Sequence, residues 1–227
     1  VPLTGENRLI VHHGFEKIKS NSCIGIKTLI HATNIKNLDE INVSNFNFKI
    51  APLINAAGRM NDANIIVDLL TTENPIKASQ IGNRLIKENK KRQLIQAIAL
   101  KEAFSIAALI DKETKLILLK NDGWHPGIIG IIAAKIKNKF KRPSIIITFD
   151  QDGNGNGSAR SLEGFNIYEI LTPLKDYFDS FGGHPFAAGF TIQKKNFALF
   201  KKDLLDHVTK TKFKIVEKKL ILDGKLN

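Results

Sequence analysis

Cysteine is nearly absent from this chain, since Cys23 is the only one among 227 residues. A single thiol excludes an intramolecular disulfide and any metal site built from several cysteines. Disulfides accumulate in secreted proteins, so their exclusion here favours a cytoplasmic protein.

Long hydrophobic segments are also missing. No run of about 18 apolar residues occurs, so the sequence predicts no membrane-spanning helix. The opening Val1-Pro2-Leu3 has neither the basic start nor the apolar stretch of a secretory signal peptide. With 43% hydrophobic and 25% charged residues, the composition is typical of a globular protein with one large domain or two small ones.

Acidic residues are too few to balance the basic ones. The chain has 34 Lys and Arg against 22 Asp and Glu, which gives a formal net charge of +12. Such an excess is typical of proteins that bind polyanions, nucleic acids among them. A genome rich in lysine codons would place the same excess on a solvated surface, so the charge alone leaves both interpretations open.

A glycine-rich segment, 153–161, follows the β-branched run 144–149. The pattern predicts a strand and then a loop that carries hydroxyls and an arginine. Ser158 and Ser161 can donate hydrogen bonds to phosphate oxygens, and Arg160 presents two donors in one plane. The spacing is not that of a Walker phosphate loop. We expect the loop at the C-terminal edge of the sheet, where ligands bind in α/β proteins.

A second glycine segment, 181–189, reads FGGHPFAAG without a charged residue. It predicts a packed backbone concavity in which Gly182 and Gly183 let a ligand approach the main chain. Backbone amides and the His184 imidazole together would form an anion site. The alternative is a Gly-Gly turn beside a buried histidine.

Apolar periodicity and capping residues predict the other elements. A strand, a helix that Pro126 opens and a second strand predict a parallel pair. His125 would lie beside the N-terminus of that helix, either as its cap or near a bound anion. Helices are predicted within 14–32 (two), 76–110, 126–140, 165–174 and 196–209, and strands at 115–120, 144–149 and 190–192.

Five segments in this order resemble the DHHA1 domain and its surroundings in the RecJ family of single-stranded-DNA exonucleases. They are GENR (5–8), APLINAAGR (51–59), GWHPGIIG (123–130), the serine-arginine segment and GGH (182–184). The resemblance implies an α/β fold in which a small mixed-sheet DHHA1 domain is joined by a long helix to the end of a DHH domain. The implied boundaries are a C-terminal remnant of a DHH domain at 1–73, a connecting helix at 74–110, a DHHA1 domain at 111–212 and the start of a truncated OB-like segment at 213–227.

The same resemblance implies part of a 5′-to-3′ exonuclease that hydrolyses single-stranded DNA with Mn²⁺ or Mg²⁺ in the cytoplasm. A single-strand-binding protein or a helicase would be a further partner, and no membrane is involved. The family's metal ligands lie upstream of GENR, so this chain would be inactive alone and supply the nucleic-acid-binding half. Val11-His12-His13 lacks the family's aspartate and is not expected to bind metal.

The resemblance also places Asn55 and Arg59 at the substrate cleft. The residues expected to bind phosphate are therefore Asn55, Arg59, Ser158, Arg160, Gly182, Gly183 and His184. Two other hypotheses stay open: a non-catalytic nucleic-acid-binding module, and a DHH-type phosphoesterase of short oligonucleotides or cyclic dinucleotides. GENR and the long helix favour the RecJ-type interpretation over the second of these.

Overall fold

The computed structural model describes residues 3–33, 35, 38, 41–60 and 63–212. The predicted OB-like segment, 213–227, lies outside the described residues. The chain divides into two compact units, residues 1–95 and 96–227, and each is described by itself.

The described part of the first unit is helical. Its core contains Leu29, Leu69 and Leu85, each at most 1% exposed. The break predicted near residues 21–23 is confirmed, because one helix ends at Asn21 and the next begins at Ile24. The elements are α1 (Glu6–Asn21), α2 (Ile24–Ala32), α3 (Val43–Asn45), a π-helical turn (Phe46–Ile50), α4 (Ala51–Met60), α5 (Asn64–Thr71) and the start of α6 (Pro75–Ala108).

The long helix α6 forms where Asn74 and Pro75 predict its start. The Asn74 side-chain oxygen accepts hydrogen bonds from the amides of Ile76 (2.9 Å) and Lys77 (3.2 Å). A proline in the first turn loses nothing by lacking an N–H, since the first amides of a helix have no partner within it. The predicted helix over 76–110 is confirmed to within two residues at each end.

The second unit contains the rest of α6 and a mixed five-stranded sheet. Its strands lie in the order β1-β2-β3-β5-β4, with β1 and β2 parallel, as predicted, and the other pairs antiparallel. The elements are β1 (Ile117–Lys120), α7 (Pro126–Phe140), β2 (Ser144–Phe149), β3 (Asn154–Arg160), α8 (Ile167–Leu171), a 3₁₀ turn (Thr172–Tyr177), β4 (Phe178–His184), β5 (Ala187–Gln193), a 3₁₀ turn (Lys194–Asn196) and α9 (Phe197–Lys210).

Helices cover the two sides of this sheet unequally. On one side, α7 packs on β2 and β3, and a core around Ile128, Ile132 and Ile146 also includes the end of α6 and residues of β1. Two buried hydroxyls of β2 hold α7 in place: Ser144 donates to the Ala133 carbonyl and Thr148 to the Trp124 carbonyl, both at 2.7 Å. On the other side, α8 and α9 close a core rich in phenylalanine, which reaches across β2, β3 and β5.

The predicted glycine loop at 153–161 is wrong, because Asn154–Arg160 is a strand. Only the turn before it requires special backbone geometry, and Gly153 provides that with a φ of 84°. The following glycines lie under aromatic rings. A Cβ at Gly155 would come within 2.5 Å of the Phe149 ring, and one at Gly157 within 2.2 Å of the Phe190 ring. Glycine here permits a strand to pack beneath large rings.

The predicted concavity at 181–189 is also wrong, because this segment is a surface hairpin. Strands β4 and β5 are joined by Pro185 and Phe186, and Phe186 is 58% exposed. Backbone hydrogen bonds hold the hairpin tip: the Ser161 amide donates to the Phe186 carbonyl, and the Ile167 amide to the Pro185 carbonyl. The helix predicted from residue 165 begins at Ile167 and gives way to a 3₁₀ turn after Leu171.

Candidate nucleic-acid interface

Ser158 and Arg160 lie on the same face of β3, and both are half-buried. Residues two apart in a strand point to the same side of the sheet. Arg160 Nη1 donates to Ser158 Oγ at 3.1 Å and to the Ala159 carbonyl at 2.7 Å. These bonds orient the plane of the guanidinium, which is the feature that lets arginine bind a phosphate at two points.

Helix α7 runs beside this pair. Its N-cap is His125, whose Nδ1 accepts a hydrogen bond from the Gly127 amide at 3.0 Å, so the capping interpretation of this histidine is confirmed. One turn further, Gly130 faces β3. A Cβ built there would lie 3.0 Å from Arg160 Nη2 and 3.1 Å from Ser158 Oγ. Sequence reasoning missed Gly130, although the GWHPGIIG segment contains it.

The hairpin brings His184 and Gly182 to the same face. His184 pairs with Ala187, which pairs with Arg160, so the three form one row across neighbouring strands. Two strand spacings separate the Cα atoms of Arg160 and His184, about 10 Å. In the next row, Ser158 pairs with Gly189 and Gly189 with Gly182. His184 and Gly182 are exposed, so the β4 part of this face is open to a ligand, whereas Ser158 and Arg160 are half-buried beside α7.

Gly183 lies on the opposite face of β4. It pairs with buried Ala188, and a Cβ there would lie 2.5 Å from the Ala187 carbonyl oxygen and 2.7 Å from the Ala188 Cβ. Glycine at 183 therefore allows close packing within the hairpin. The structure brings together Ser158, Arg160, Gly182 and His184, and places the side-chain position of Gly183 elsewhere.

Ser161, which the sequence predicted as a phosphate donor, has a structural contact instead. It is 2% exposed, and its hydroxyl donates to the Phe165 carbonyl at 2.6 Å. The prediction is wrong because side chains alternate along the chain here, so Ser161 lies on the core side with buried Ala159 and opposite to Ser158 and Arg160.

The position of the serine-arginine pair in the sheet also differs from the prediction. Arg160 pairs with Ser144, the first residue of β2, so the pair lies near the N-terminal end of the parallel strands. At the C-terminal edge, Asp122 binds Lys194 (2.9 Å) and Lys120 (3.4 Å). The hydrogen bond from Lys194, with a further contribution from Lys120, lowers the pKa of the Asp122 carboxyl. The C-terminal edge of the parallel strands therefore carries a turn with ion pairs, and the serine-arginine pair lies elsewhere.

In the first unit, Asn55 and Arg59 lie four residues apart in α4 and therefore on one helix face. Asn55 is exposed and Arg59 is half-buried. Both line a surface groove of about 440 Å³. The hypothesis that they face Arg160 and His184 across a cleft stays a prediction.

Arg92 of α6 is a basic residue near Arg59 that sequence reasoning did not single out. Burial lowers the pKa of Arg92, and the positive charge of Arg59 lowers it further. Arg92 Nε and Nη2 both donate to Asn89 Oδ1, at 3.2 and 2.9 Å. The three-residue spacing from Asn89 to Arg92 was a usable signal, but the surrounding lysines obscured it.

Comparison with known proteins identifies the second unit. Residues 113–210 match the DHHA1 domain family. This region is a DHHA1 domain. Its matched residues include β1 to β5, and hence Ser158, Arg160, Gly182 and His184.

Similarity to RecJ proteins extends beyond the DHHA1 domain. The single-stranded-DNA-specific exonuclease RecJ of Bacillus subtilis is 36% identical over 197 residues, 86% of this chain and 25% of that protein. RecJ of Escherichia coli is 31% identical over 218 residues, 92% of this chain and 38% of that protein. The chain thus spans between a quarter and two fifths of the length of these relatives.

Solved structures agree with the sequence relatives. A Thermus thermophilus RecJ crystal structure in complex with Mn²⁺ has a TM-score of 0.82 and 29% identity, covering 95% of this chain and 31% of that one. A structure of exonuclease RecJ bound to manganese has a TM-score of 0.76 and 30% identity, covering 93% of this chain and 52% of that one. The DHHA1 domain and most of the first unit therefore have homologous counterparts in RecJ.

Metal-ligand clusters and membrane-spanning helices are not found among the described residues. They contain no group of three or more His, Cys, Asp or Glu side chains that could hold a metal ion. His12 and His13 are exposed neighbours on α1. Among the helices that the structure describes, none is both long and apolar enough to cross a membrane.

Proposed function

We propose that this chain holds single-stranded DNA for a 5′-to-3′ exonuclease of the RecJ type. Similarity to RecJ proteins over 86–92% of the chain supports the reaction class. The observation that carries the proposal is the open face of the DHHA1 domain, where Arg160, Ser158 and His184 converge.

The chemistry of this face suits a terminal phosphate. An arginine fork and a hydroxyl on β3 and an imidazole on β4, the two strands that flank β5, can donate hydrogen bonds to a phosphate, and no carboxylate is among them. The Ser158–Arg160 hydrogen bond fixes the donor geometry before a ligand arrives, which reduces the entropy lost on binding. We assign Gly182 to the same surface, since a glycine, which has no side chain, lets a ligand approach the strand backbone closely.

Arg59, Asn55 and Arg92 form a second candidate contact, in the first unit. Two guanidinium groups close enough to lower the pKa of Arg92 create a positive potential that favours an anion. Asn89, which accepts from Arg92, orients that guanidinium. We assign this group to backbone phosphates of the strand.

The hydrolytic step requires more than these residues. In a RecJ-type nuclease, bound Mn²⁺ or Mg²⁺ activates water and neutralises charge on the phosphodiester. The described residues do not fit such a site, because they include no cluster of metal ligands. We therefore assign to this chain the binding and orientation of the strand, and no catalytic residue.

Several narrower statements come from the sequence and the family resemblance. A single-strand-binding protein or a helicase as partner, and a cytoplasmic location, remain predictions. The second candidate function is a nucleic-acid-binding module without catalysis. The lack of a metal-ligand cluster in the described part of the chain is the observation that favours it.

The test compares the affinities of the purified chain for 5′-phosphorylated and 5′-hydroxyl single strands by fluorescence anisotropy. Arg160→Ala should weaken binding of the phosphorylated strand by about 1.5–3 kcal/mol, or roughly 10- to 150-fold. Lys201→Ala is the matched control, because it removes one positive charge from exposed α9 on the other side of the sheet. Equal affinities for parent and Arg160→Ala would refute the assignment.

Two further measurements test phosphate contact and the absence of cleavage by this chain alone. Affinity should fall steeply between low and moderate salt, because phosphate contacts release counterions. In a gel assay with Mn²⁺, we expect binding without cleavage by this chain alone. Cleavage that Arg160→Ala abolishes would show that the chain has a metal site of its own and would exclude the non-catalytic module.

A further inference from the structure

Helix α7 contains a glycine whose backbone freedom the helix does not use. Gly130 is the fifth residue of α7, and its φ is not among the positive values. Glycine is the least favourable residue inside a helix apart from proline. Because α7 does not need the special backbone angles of glycine at this position, the absence of a side chain must explain the glycine.

That reason is visible in the space around Gly130. Outside the helix's own nearby backbone, the three heavy atoms nearest to a Cβ at this position are Arg160 Nη2 at 3.0 Å, Ser158 Oγ at 3.1 Å and Arg160 Cζ at 3.8 Å. All three belong to the two side chains that we assign to phosphate binding. The first two distances are shorter than ordinary contacts with a Cβ, so an alanine would press on the guanidinium and the hydroxyl.

We infer that Gly130 is a positioning residue, which leaves room for the Arg160 guanidinium to lie between α7 and β3 at the angle that phosphate binding requires. The inference rests on the proposed function. It adds that the helix face, as well as the strand, sets the orientation of the guanidinium. Gly130 contacts no substrate and acts only through Arg160 and Ser158.

The inference predicts opposite effects on stability and on binding. In Gly130→Ala, helix propensity improves, and the strain falls on side-chain ends, the Arg160 guanidinium and the Ser158 hydroxyl, and on no backbone atom of another element among the three nearest, so the protein should unfold at an equal or higher temperature. Displacing one charged hydrogen-bonding group should reduce the preference for a 5′-phosphate over a 5′-hydroxyl by about threefold to tenfold. Gly14→Ala is the matched control, since Gly14 is also inside a helix and its Cβ would meet nothing within 4 Å.

A double-mutant cycle tests whether Gly130→Ala changes phosphate binding through Arg160. If Gly130 acts through Arg160, then Gly130→Ala should change nothing further in an Arg160→Ala background. An equal loss in both backgrounds would overturn the inference, and so would an unchanged phosphate preference in Gly130→Ala. Loss of folding in Gly130→Ala would show that the glycine serves packing, which also overturns it.

A measurement on the free protein separates this inference from the proposed function. The Arg160 side-chain Nε resonance of the ¹⁵N-labelled chain should shift in Gly130→Ala and stay in place in Gly14→Ala. A shifted resonance with no effect of Arg160→Ala on DNA binding would confirm the positioning and refute phosphate binding. An unmoved resonance would refute the positioning, whatever the DNA affinities are.

Discussion

The two faces of strands β3, β5 and β4 use glycine for opposite purposes. On the core face, a Cβ at Gly157 would lie 2.2 Å from the Phe190 ring, so glycine there makes room for an aromatic side chain. On the outer face, a Cβ at Gly182 would meet nothing within 4 Å. The fold requires the first glycine and leaves the second unexplained.

This difference separates residues that serve packing from candidates for ligand binding. Glycine weakens a strand, because it has no side chain to pack and loses more backbone entropy on folding. At Gly157 the packing of Phe190 offsets that loss. At Gly182 no contact of the described chain offsets it, which is the behaviour expected of a position kept open for a ligand.

The largest effect should come from filling the core face. Gly157→Ala would force the Phe190 ring or the strand to move, and overpacking of this kind costs about 1–3 kcal/mol of unfolding free energy. Gly182→Ala, on the outer face, should change it by less than about 0.5 kcal/mol. Urea denaturation of both variants measures the difference. Equal midpoints would mean that the two faces do not differ in packing.

Neighbouring glycines of β4 sharpen the comparison, since they point to opposite faces. Gly182→Val should leave the fold intact and weaken binding of 5′-phosphorylated single strands about tenfold, or about 1.4 kcal/mol, by blocking the surface. Gly183→Val is the control and should lose stability, because its Cβ would lie 2.5 Å from the Ala187 carbonyl oxygen. Anisotropy and thermal unfolding report the two effects. Full affinity in a folded Gly182→Val would remove Gly182 from the interface.

Ser158→Ala and Ser161→Ala should have different effects on DNA affinity and stability, although the sequence predicts both serines as phosphate donors. Ser158→Ala removes the hydroxyl that accepts from Arg160, so DNA affinity should fall by about 1 kcal/mol with little change in stability. Ser161→Ala removes a buried donor to the Phe165 carbonyl, so stability should fall by about 1 kcal/mol with affinity unchanged. If both variants lose affinity equally, the conclusion that buried Ser161 has only a structural contact is wrong.

The sequence predicted the regular helices and strands better than it predicted the structure of the two glycine-rich segments. The long helix, the parallel pair β1–β2 and helices α7 and α9 follow from apolar periodicity and capping residues, which are local signals. The segments 153–161 and 181–189 were misinterpreted as a loop and a concavity, because clustered glycines are a signal for turns. In the first segment, Gly155 and Gly157 instead lie under the Phe149 and Phe190 rings, which only the folded sheet brings over the strand. In the second, Gly183 packs against Ala187 and Ala188 of the neighbouring strand, which is also a contact of the folded sheet.

The candidate site shows the same limit. Ser158 and Arg160 could be selected from their chemistry, and His184 from its position beside two glycines. Their assembly in adjacent rows depends on the register between β3, β5 and β4, which no local pattern fixes. Gly130 was missed because its contact is with another element, and Arg92 because neighbouring lysines obscured its spacing from Asn89.

The smallest expected effect concerns an ionisable group at the edge of the core face. The Tyr177 hydroxyl donates to Asp203 Oδ2 at 2.5 Å, and the Tyr177 ring packs edge-on against Phe200. The hydrogen bond with Asp203 is the main cause that raises the Tyr177 pKa above its ordinary value of 10.0. Neutral tyrosine is thus favoured by the folded state, which binds more protons than the unfolded state in this range.

Stability from this pair is complete below pH 10 and is lost as the pH rises through the higher pKa of the folded state. Tyr177→Phe should therefore unfold with a weaker dependence on pH above 10 than the parent, as measured by urea midpoints from pH 8 to 11. Tyr168→Phe, which changes the only other tyrosine, should keep the parent's dependence. If Tyr177→Phe and the parent lose stability in parallel, the alkaline loss arises from other groups, and the Tyr177–Asp203 bond contributes nothing to holding α9 on the core face.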